Sequence, residues 1–506
     1  MTSSPTILAK AQPGAQPHAQ PHYTRADLAR IAAQAMVARG LAAEFSQQAM
    51  QQLATLTKPS TETLPDILDL RHLLWCSIDN DDSRDLDQLS VCEILADGAV
   101  KILVAIADVD TLVKKDSPID TCAQKNTTSV YTAARIFPML PERLSTDLTS
   151  LNPRQDRLAV VTELVFSVDA HLTASTIYRA RVHNFAQLAY DSVALWLEGK
   201  GDLPAPAQAV KGMDVQLRTQ DAVAQKLRSL RHVMGALEFV TIQSKTVFEG
   251  DEVVDVKPQQ ANRARQLIEE LMLMTNGVTA RYLAAQGYSA LCRVVRSPER
   301  WEKIVEVAKD LGEMLPKEPD SKALEAFLSK RQQADPLRFP DLSLVIIKLM
   351  GAGEYALQKP NEAVVGHFGL AVREYSHSTA PNRRFADLIT QRLVKAALVG
   401  AAAPYTDEQL EALAKHCNEQ GSDANKVERQ VRKSEAALVL QPRIGQSFEG
   451  IITSVSSKGV WLRVFSPPVD GRLVAGEAGL RIGQKLTAKL LLADVERGFI
   501  DFERVS

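Results

Sequence analysis

The chain lacks most of the marks by which an enzyme class is usually read. Its five cysteines, Cys76, Cys92, Cys122, Cys292 and Cys417, are scattered through 506 residues without a C-x-x-C pair. That spacing excludes a zinc ribbon and a disulfide framework, and it fits reduced thiols in the cytoplasm. No apolar run reaches the ~18 residues of a membrane span, and the N-terminus has no signal peptide's continuous apolar core, so no membrane association is expected. There is no G-x-x-x-x-G-K-[ST], no H-E-x-x-H and no G-x-S-x-G; the stretch from Gly445 to Glu449 lacks the second glycine. P-loop, zincin and nucleophile-elbow chemistries therefore have no carrier. The nine histidines show no ligand spacing. Net charge is almost absent as well. A balance of −2 argues against coating nucleic acid by bulk charge, but leaves room for a local basic channel, because the field that matters is the one in the cleft.

What the chain has is length and one dense acidic segment. Its 506 residues, 45% hydrophobic and 24% charged, suit an ordinary globular protein of about three domains. Over 77–88 the sequence reads SIDNDDSRDLDQ, with five aspartates in nine positions directly after an apolar, strand-like run. Carboxylates that close repel one another, and a hard cation, Mg²⁺ or Mn²⁺, is the natural counter-charge. A solvated acidic loop is the simpler alternative. A calcium loop fails at its two diagnostic places, since Arg84 stands at the turn glycine and Ser90 at the closing Glu. Leu86, between the last two aspartates, and the apolar runs on both sides put the carboxylates at the rim of a buried sheet, as a cation site in a cleft requires.

Four ordered blocks carry a resemblance to a known family. DLR at 69–71 precedes the acidic segment; VAIADV at 104–109 leads to SVY at 129–131 and PMLP at 138–141; LIEELM follows at 267–272 with Asn276; YSHSTAPNRRFADL closes the set at 375–388. In this order they resemble the ribonuclease II/R (RNB) family. The chain departs from that pattern at Gln88, where the family carries a fourth aspartate. It departs again at Ala380-Pro381-Asn382, in place of Ser-Pro-Ile, and at Gln391, in place of the His before Arg392.

The resemblance implies a hydrolytic 3′→5′ exoribonuclease that degrades single-stranded RNA processively to nucleoside 5′-monophosphates. It implies metal ligation by Asp79, Asp85 and Gln88, a positioning role for Asp87, and neutralisation of the scissile phosphate by Arg383, with Arg384 beside it on the RNA. In the bland reading Arg383 only pairs with Asp387. Tyr131 and Phe239 resemble the pair that clamps terminal bases, although Phe239 is as easily a core ring. Glu269 resembles an acidic contact to the bound nucleotide, with a surface pair to Arg265 as its rival role, and Glu428 is a further RNA contact. A catalytically weakened RNA-binding protein is the runner-up, Gln88 being its first sign, and a DNA nuclease is a third reading.

The expected fold class is α+β and multidomain. Residues 1–21, with four prolines among Ala, Gln and Ser, read as a disordered tail. Residues 22–66 read as a small helix-turn-helix-like domain opened by a capping box at Thr24 and Asp27, serving either as an RNA contact or as a structural cap. Residues 67–438 form the RNB catalytic domain of a mixed sheet with helices, the latter dominating from about 205 to 310. Residues 439–506 alternate like the five strands of an OB-type barrel and look like an S1 RNA-binding domain, in which Phe448 and Trp461 are stacking platforms or core rings. A monomer is expected, with no protein partner indicated.

Overall fold

The computed structural model describes residues 23–505 apart from 241, 242, 260, 261, 297 and 337; the tail expected over 1–21 lies outside the described residues. The centre is a seven-stranded mixed sheet whose middle strands are Asp156–Phe166, Val100–Ala107 and Gln88–Ile94. Val100–Ala107 reads VKILVAIA, apolar at every position after Lys101, and its last six positions are buried, as a strand covered on both faces must be. Two short parallel pairings finish the sheet. Ile67–Asp69 joins Leu172–His183, and Cys76–Asp79 joins Ala186–Ala189 with Asp79 opposite Ala189. The acidic segment is thus the connection between neighbouring strands, leaving Cys76–Asp79 and re-entering at Gln88.

Helices cover the sheet, among them Arg263–Ala285, which Asn262 caps by accepting the Arg265 N–H at 3.0 Å. The span from 205 to 310 is less helical than its composition suggests. It holds a hairpin, Gln243–Glu249 with Glu252–Gln259, and a strand, Ala290–Val294. The hairpin turns at Gly250, whose φ of 61° only glycine adopts cheaply; the alternation of β-branched residues around a Gly-Asp pair was the overlooked signal.

The two N-terminal helices form, with the Thr24–Asp27 capping box in place. They are not a helix-turn-helix unit, because each packs on a different partner. Arg25–Ala38 lies along the 34-residue helix Asp407–Leu440, and Gln47–Thr55 lies on Pro118–Asn126. Leu28 and Ile31 enter the barrel's core, while Ala32, Ala35 and Met36 meet Val130, Phe137 and Val427 of the sheet-centred body. The first helix is therefore a wedge between the two larger units. The long helix also crosses the expected boundary at 438/439, and its last turn places Ala436, Ala437 and Leu440 in the barrel core. Five strands, Ser447–Ser456, Gly459–Val464, Val469–Ala475, Lys485–Asp494 and Phe499–Val505, then close the barrel. A side chain at Gly471 would run into the Phe502 ring, so the barrel closes only around glycine there.

Beneath the sheet lies a buried ion network. Asp108 accepts from Arg179 at 2.8 and 3.0 Å and from Lys395 at 2.8 Å; Arg179 also holds Glu62, and Arg392 holds Asp110 and Asp120. Gln391 donates to the Ala107 carbonyl and accepts the Asp110 N–H. These contacts fasten the helix Phe385–Leu398 to the sheet. Asp108→Ala leaves two buried cations without their shared partner, a loss of about 3–5 kcal/mol. The expected outcome is a marked fall in the melting temperature of the sheet-centred body; an unchanged melt would show the network to be dispensable.

Candidate functional site

The acidic loop sorts its carboxylates by direction. Asp81 and Asp82 are exposed, Asp79 and Asp85 are half-buried, and Asp87 is 4% exposed. Leu86, 1% exposed, anchors the loop in the core, as a rim position requires. Its N–H donates to Ser150 Oγ at 2.9 Å and its carbonyl accepts the Leu151 N–H. Gln187 holds the Ser83 carbonyl, and Arg265 holds Asn80 Oδ1 at 2.7 Å. Asp79 Oδ1 accepts from the Asn80 N–H and from Ser83 Oγ.

The distant arginine block arrives through backbone ties. Ser129 donates its N–H to the Arg383 carbonyl and Phe385 donates to the Thr127 carbonyl, so the segment carrying Tyr131 and the segment carrying Arg383 are stitched side by side. Asn382 then donates its backbone N–H to Asp87 Oδ1 at 3.1 Å, and Arg383 Nε stands 3.5 Å from Asp87 Oδ2. Tyr131, 38% exposed, donates its hydroxyl to Asp85 Oδ2 at 3.2 Å. Its own N–H goes to Glu428 Oε1 at 2.9 Å, so Glu428 positions the tyrosine. Burial pushes the Asp85 carboxyl up. It pushes Asp87 up to about 7, with Asp85 adding to the shift while Arg383 and the Asn382 N–H oppose it.

Asp79, Asp85, Asp87, Gln88, Arg383, Tyr131 and Glu428 therefore share one locality, four of them joined directly by Asp85–Tyr131 and Asp87–Arg383. Other expected residues fare differently. It is Arg384, not Arg383, that grips Asp387, at 2.6 and 2.8 Å. With Asp387 fully buried, Arg384 is a structural cation rather than a free RNA contact. Phe448 is 6% exposed, meets Phe502 edge-on inside the barrel and carries the Arg443 guanidinium over its ring at 4.6 Å, which corrects its reading as a stacking platform. Trp461 is half-buried on the outward side of its strand, opposite Arg472. Phe239 packs against a separate cluster with Leu237, Val295 and Trp301. Glu269 is exposed on the helix Arg263–Ala285, and desolvation pushes its carboxyl up against the pull of Arg231. Arg265 spends itself on Asn80 and on the Tyr190 ring, 4.3 Å away, instead of on Glu269.

Tyr190 escaped the sequence reading. Burial, then Asp79, holds its hydroxyl above the usual range, against Arg265 and Arg383, which places it among the site residues. Its only signal is register: Ala189 pairs with Asp79, so the next residue must stand beside the acidic loop.

Among the described residues no three Asp, Glu, His or Cys side chains already gather as a cation cage. The donor set nevertheless fits a hard cation. Asp87 Oδ2 and Gln88 Oε1 are buried without a hydrogen-bond partner, Gln88 being turned by its Nε2 donating to the Ile78 carbonyl. Two orphaned oxygens on adjacent residues are what such an ion satisfies.

Fold and site together define an α+β protein with an arginine-faced carboxylate pocket and a C-terminal OB barrel. The RNB domain model matches residues 67–400, and that of the RNase II-type exonuclease C-terminal S1 domain matches 446–505; the chain belongs to the RNB family. It is 30% identical to the ribonuclease R of Vibrio cholerae, covering 91% of this chain and 60% of that one, and 30% identical to the ribonuclease R of Escherichia coli, covering 87% and 57%. The chain thus spans about six-tenths of the length of these curated relatives. In fold it is similar to the apo form of Mycoplasma genitalium RNase R, with a TM-score of 0.84 at 24% identity, covering 94% of this chain and 78% of that one. It is also similar to yeast Ssd1, a pseudonuclease, at 0.69 and 14%, covering 91% and 58%. Among the described residues no helix is long and apolar enough to cross a membrane.

Burial pushes the Asp87 carboxyl up from 3.8 to about 7, so the fold favours its neutral form. Its contribution to stability is greatest below the free value and is lost as pH rises toward 7. Asp87→Asn is expected to raise the melting temperature of the metal-free protein at about pH 8, with the gain shrinking to nothing near pH 4. A gain that is the same at both ends would refute the buried-carboxylate account.

Proposed function

We propose that the chain is a metal-dependent, hydrolytic 3′→5′ exoribonuclease that acts processively on single-stranded RNA and releases nucleoside 5′-monophosphates. One observation carries this reading: Tyr131 on Asp85 and Arg383 on Asp87 converge from three sequence blocks on one buried carboxylate pair. The names of the relatives support it, as do two further Mycoplasma genitalium RNase R structures of the same fold, one in complex with ribose methylated single-stranded RNA and one with double-stranded RNA.

Asp79, Asp85 and Gln88 would hold Mg²⁺ or Mn²⁺, which when bound would supply the positive charge that polarises the phosphodiester and acidifies a water. Arg383 exchanges Asp87 for the scissile phosphate, which its planar guanidinium binds through two parallel donors. Released from that pair, Asp87 orients the attacking water. Oxygen attacks phosphorus in line, the 3′ oxygen leaves with a proton, and the terminal nucleotide departs as its 5′-monophosphate. Tyr131 presents a ring to the last bases, and Glu428 keeps that ring in place. Free thiols at all five cysteines suit a cytoplasmic enzyme, and we read it as a monomer. The weakened-enzyme reading rests on Gln88 alone, and its amide oxygen still serves a hard cation.

Incubating the protein with 5′-labelled single-stranded RNA and Mg²⁺ is expected to give a ladder shortening from the 3′ end. Asp87→Asn is expected to slow it by about a thousandfold or more while leaving RNA affinity near wild type, because this carboxylate serves the transition state. Full turnover by the variant would sink the assignment, and absence of any ladder from the wild type would favour the RNA-binding alternative.

Tyr131→Ala tests the clamp. Stacking contributes roughly 1–3 kcal/mol per base and matters most when few nucleotides remain bound. The variant is expected to stop at longer end products while shortening long substrates at a comparable rate. Unchanged end products would leave Tyr131 only its hydroxyl contact to Asp85.

A further inference from the structure

Far along the chain from the acidic loop, a cavity of about 510 Å³ opens where the barrel meets the helices Ser321–Ala334 and Phe339–Met350. Its floor is apolar. Phe339 and Val345 are 2% and 1% exposed, and Ile451 and Ile482 close it from the barrel side. Four cations surround that floor: Arg331 and Arg338 from the helices, Arg481 and Lys485 from the link into the strand Lys485–Asp494. Arg331 and Arg481 have no side-chain hydrogen bond or ion pair among the described residues, while Arg338 leans on Asp335 at 3.6 Å. Asp310 and Asp341 are the other carboxylates of the lining. Burial pushes Asp341 up, against the pull of Lys485, Arg463 and Arg338.

The volume falls within the roughly 300–1,000 Å³ of small-molecule sites, which favour domain junctions and apolar walls with a few polar groups. The chemistry narrows the occupant. Two idle guanidiniums call for an anion that accepts forked hydrogen bonds, as phosphate does. Phosphate alone would leave the apolar floor wet, and an apolar molecule alone would leave the guanidiniums idle. A flat aromatic base carrying a phosphate meets both demands, and Asp341 offers an acceptor to the N–H groups of the base edge.

We propose that this cavity is a second nucleotide site, which holds one nucleoside 5′-phosphate unit between the barrel and the two helices. The unit is either a free mononucleotide or one residue of an RNA strand. Because cations reach it from both walls, occupancy braces the barrel against the catalytic body. The site uses none of the residues assigned to hydrolysis, so it stands or falls apart from that reading.

Calorimetric titration of the full chain without divalent metal tests it, using uridine and adenosine 5′-monophosphates, uridine, inorganic phosphate and a short oligouridylate. The proteins are wild type, Arg383→Ala and Arg331→Ala/Arg481→Ala, with thermal melts to show that each is folded. The nucleotide is expected to bind wild type and Arg383→Ala alike, and at least about tenfold more tightly than uridine or phosphate. The double variant is expected to lose about tenfold per guanidinium. Arg331→Lys/Arg481→Lys, which keeps the charge without the fork, is expected to fall between the two. Mononucleotide binding that the double variant loses identifies a free ligand, and oligonucleotide binding that the double variant weakens while mononucleotides fail to bind identifies an RNA strand; either upholds the site. Failure of both to bind overturns it, as does binding that Arg383→Ala abolishes and the double variant spares.

Discussion

A carboxylate buried beside another carboxylate is the constraint around which the catalytic body is arranged. Asp87 has almost no contact with solvent and has Asp85 for a neighbour, so its ionised form exists only while a cation is held opposite it. In this structure that cation is Arg383, and its placement depends on everything that fixes the segment 380–384. The Asn382 N–H fixes it from one side and the Thr127–Ser129 backbone from the other. Beneath, Gln391, Arg392 and Lys395 pin the following helix to the sheet through Ala107, Asp110, Asp120 and Asp108. Breaking any of these would not touch a substrate, yet each would move the charge that makes the pocket tolerable.

The order of the motifs announced the family, and the alternation after residue 439 announced the barrel, because both are properties of spacing. The inward set Asp79, Asp85 and Asp87 was legible for the same reason: a leucine between two aspartates, flanked by apolar strands, belongs at the rim of a sheet. What spacing does not carry is which of two adjacent arginines faces which carboxylate. Arg383 and Arg384 differ only in the direction their backbone gives them, and the bridge Thr128–Arg384 decides that. Tyr190 was hidden for a related reason, since its meaning comes from a parallel pairing of strands more than a hundred residues apart. Phe448 could not be told from a surface ring because a small barrel needs aromatics inside as well as outside.

The departures from the family pattern divide in the same way. Gln391 reproduces two hydrogen bonds that a neutral side chain can make, one given and one received, and so the helix stays fastened. Asn382 is more exposed to consequence. Its side-chain oxygen accepts from Thr149 Oγ1 at 2.6 Å, while its Nδ2 is buried without a partner. Gln88 Oε1 and Asp87 Oδ2 are in the same state, so unsatisfied buried polar atoms meet at the site, where a protein tolerates them when something is meant to bind.

The wedge helix Arg25–Ala38 and the helix Asp407–Leu440, about 50 Å long, fix how the barrel is held against the rest of the protein. A barrel joined by a flexible linker would add its affinity diluted by the volume the linker sweeps. Here the barrel's core is built partly from Leu28, Ile31 and Leu440, so its orientation is set before any ligand arrives. Any ligand long enough to touch both the barrel and the carboxylate pocket would therefore meet the second at an effective concentration fixed by distance alone, without the entropy of a search.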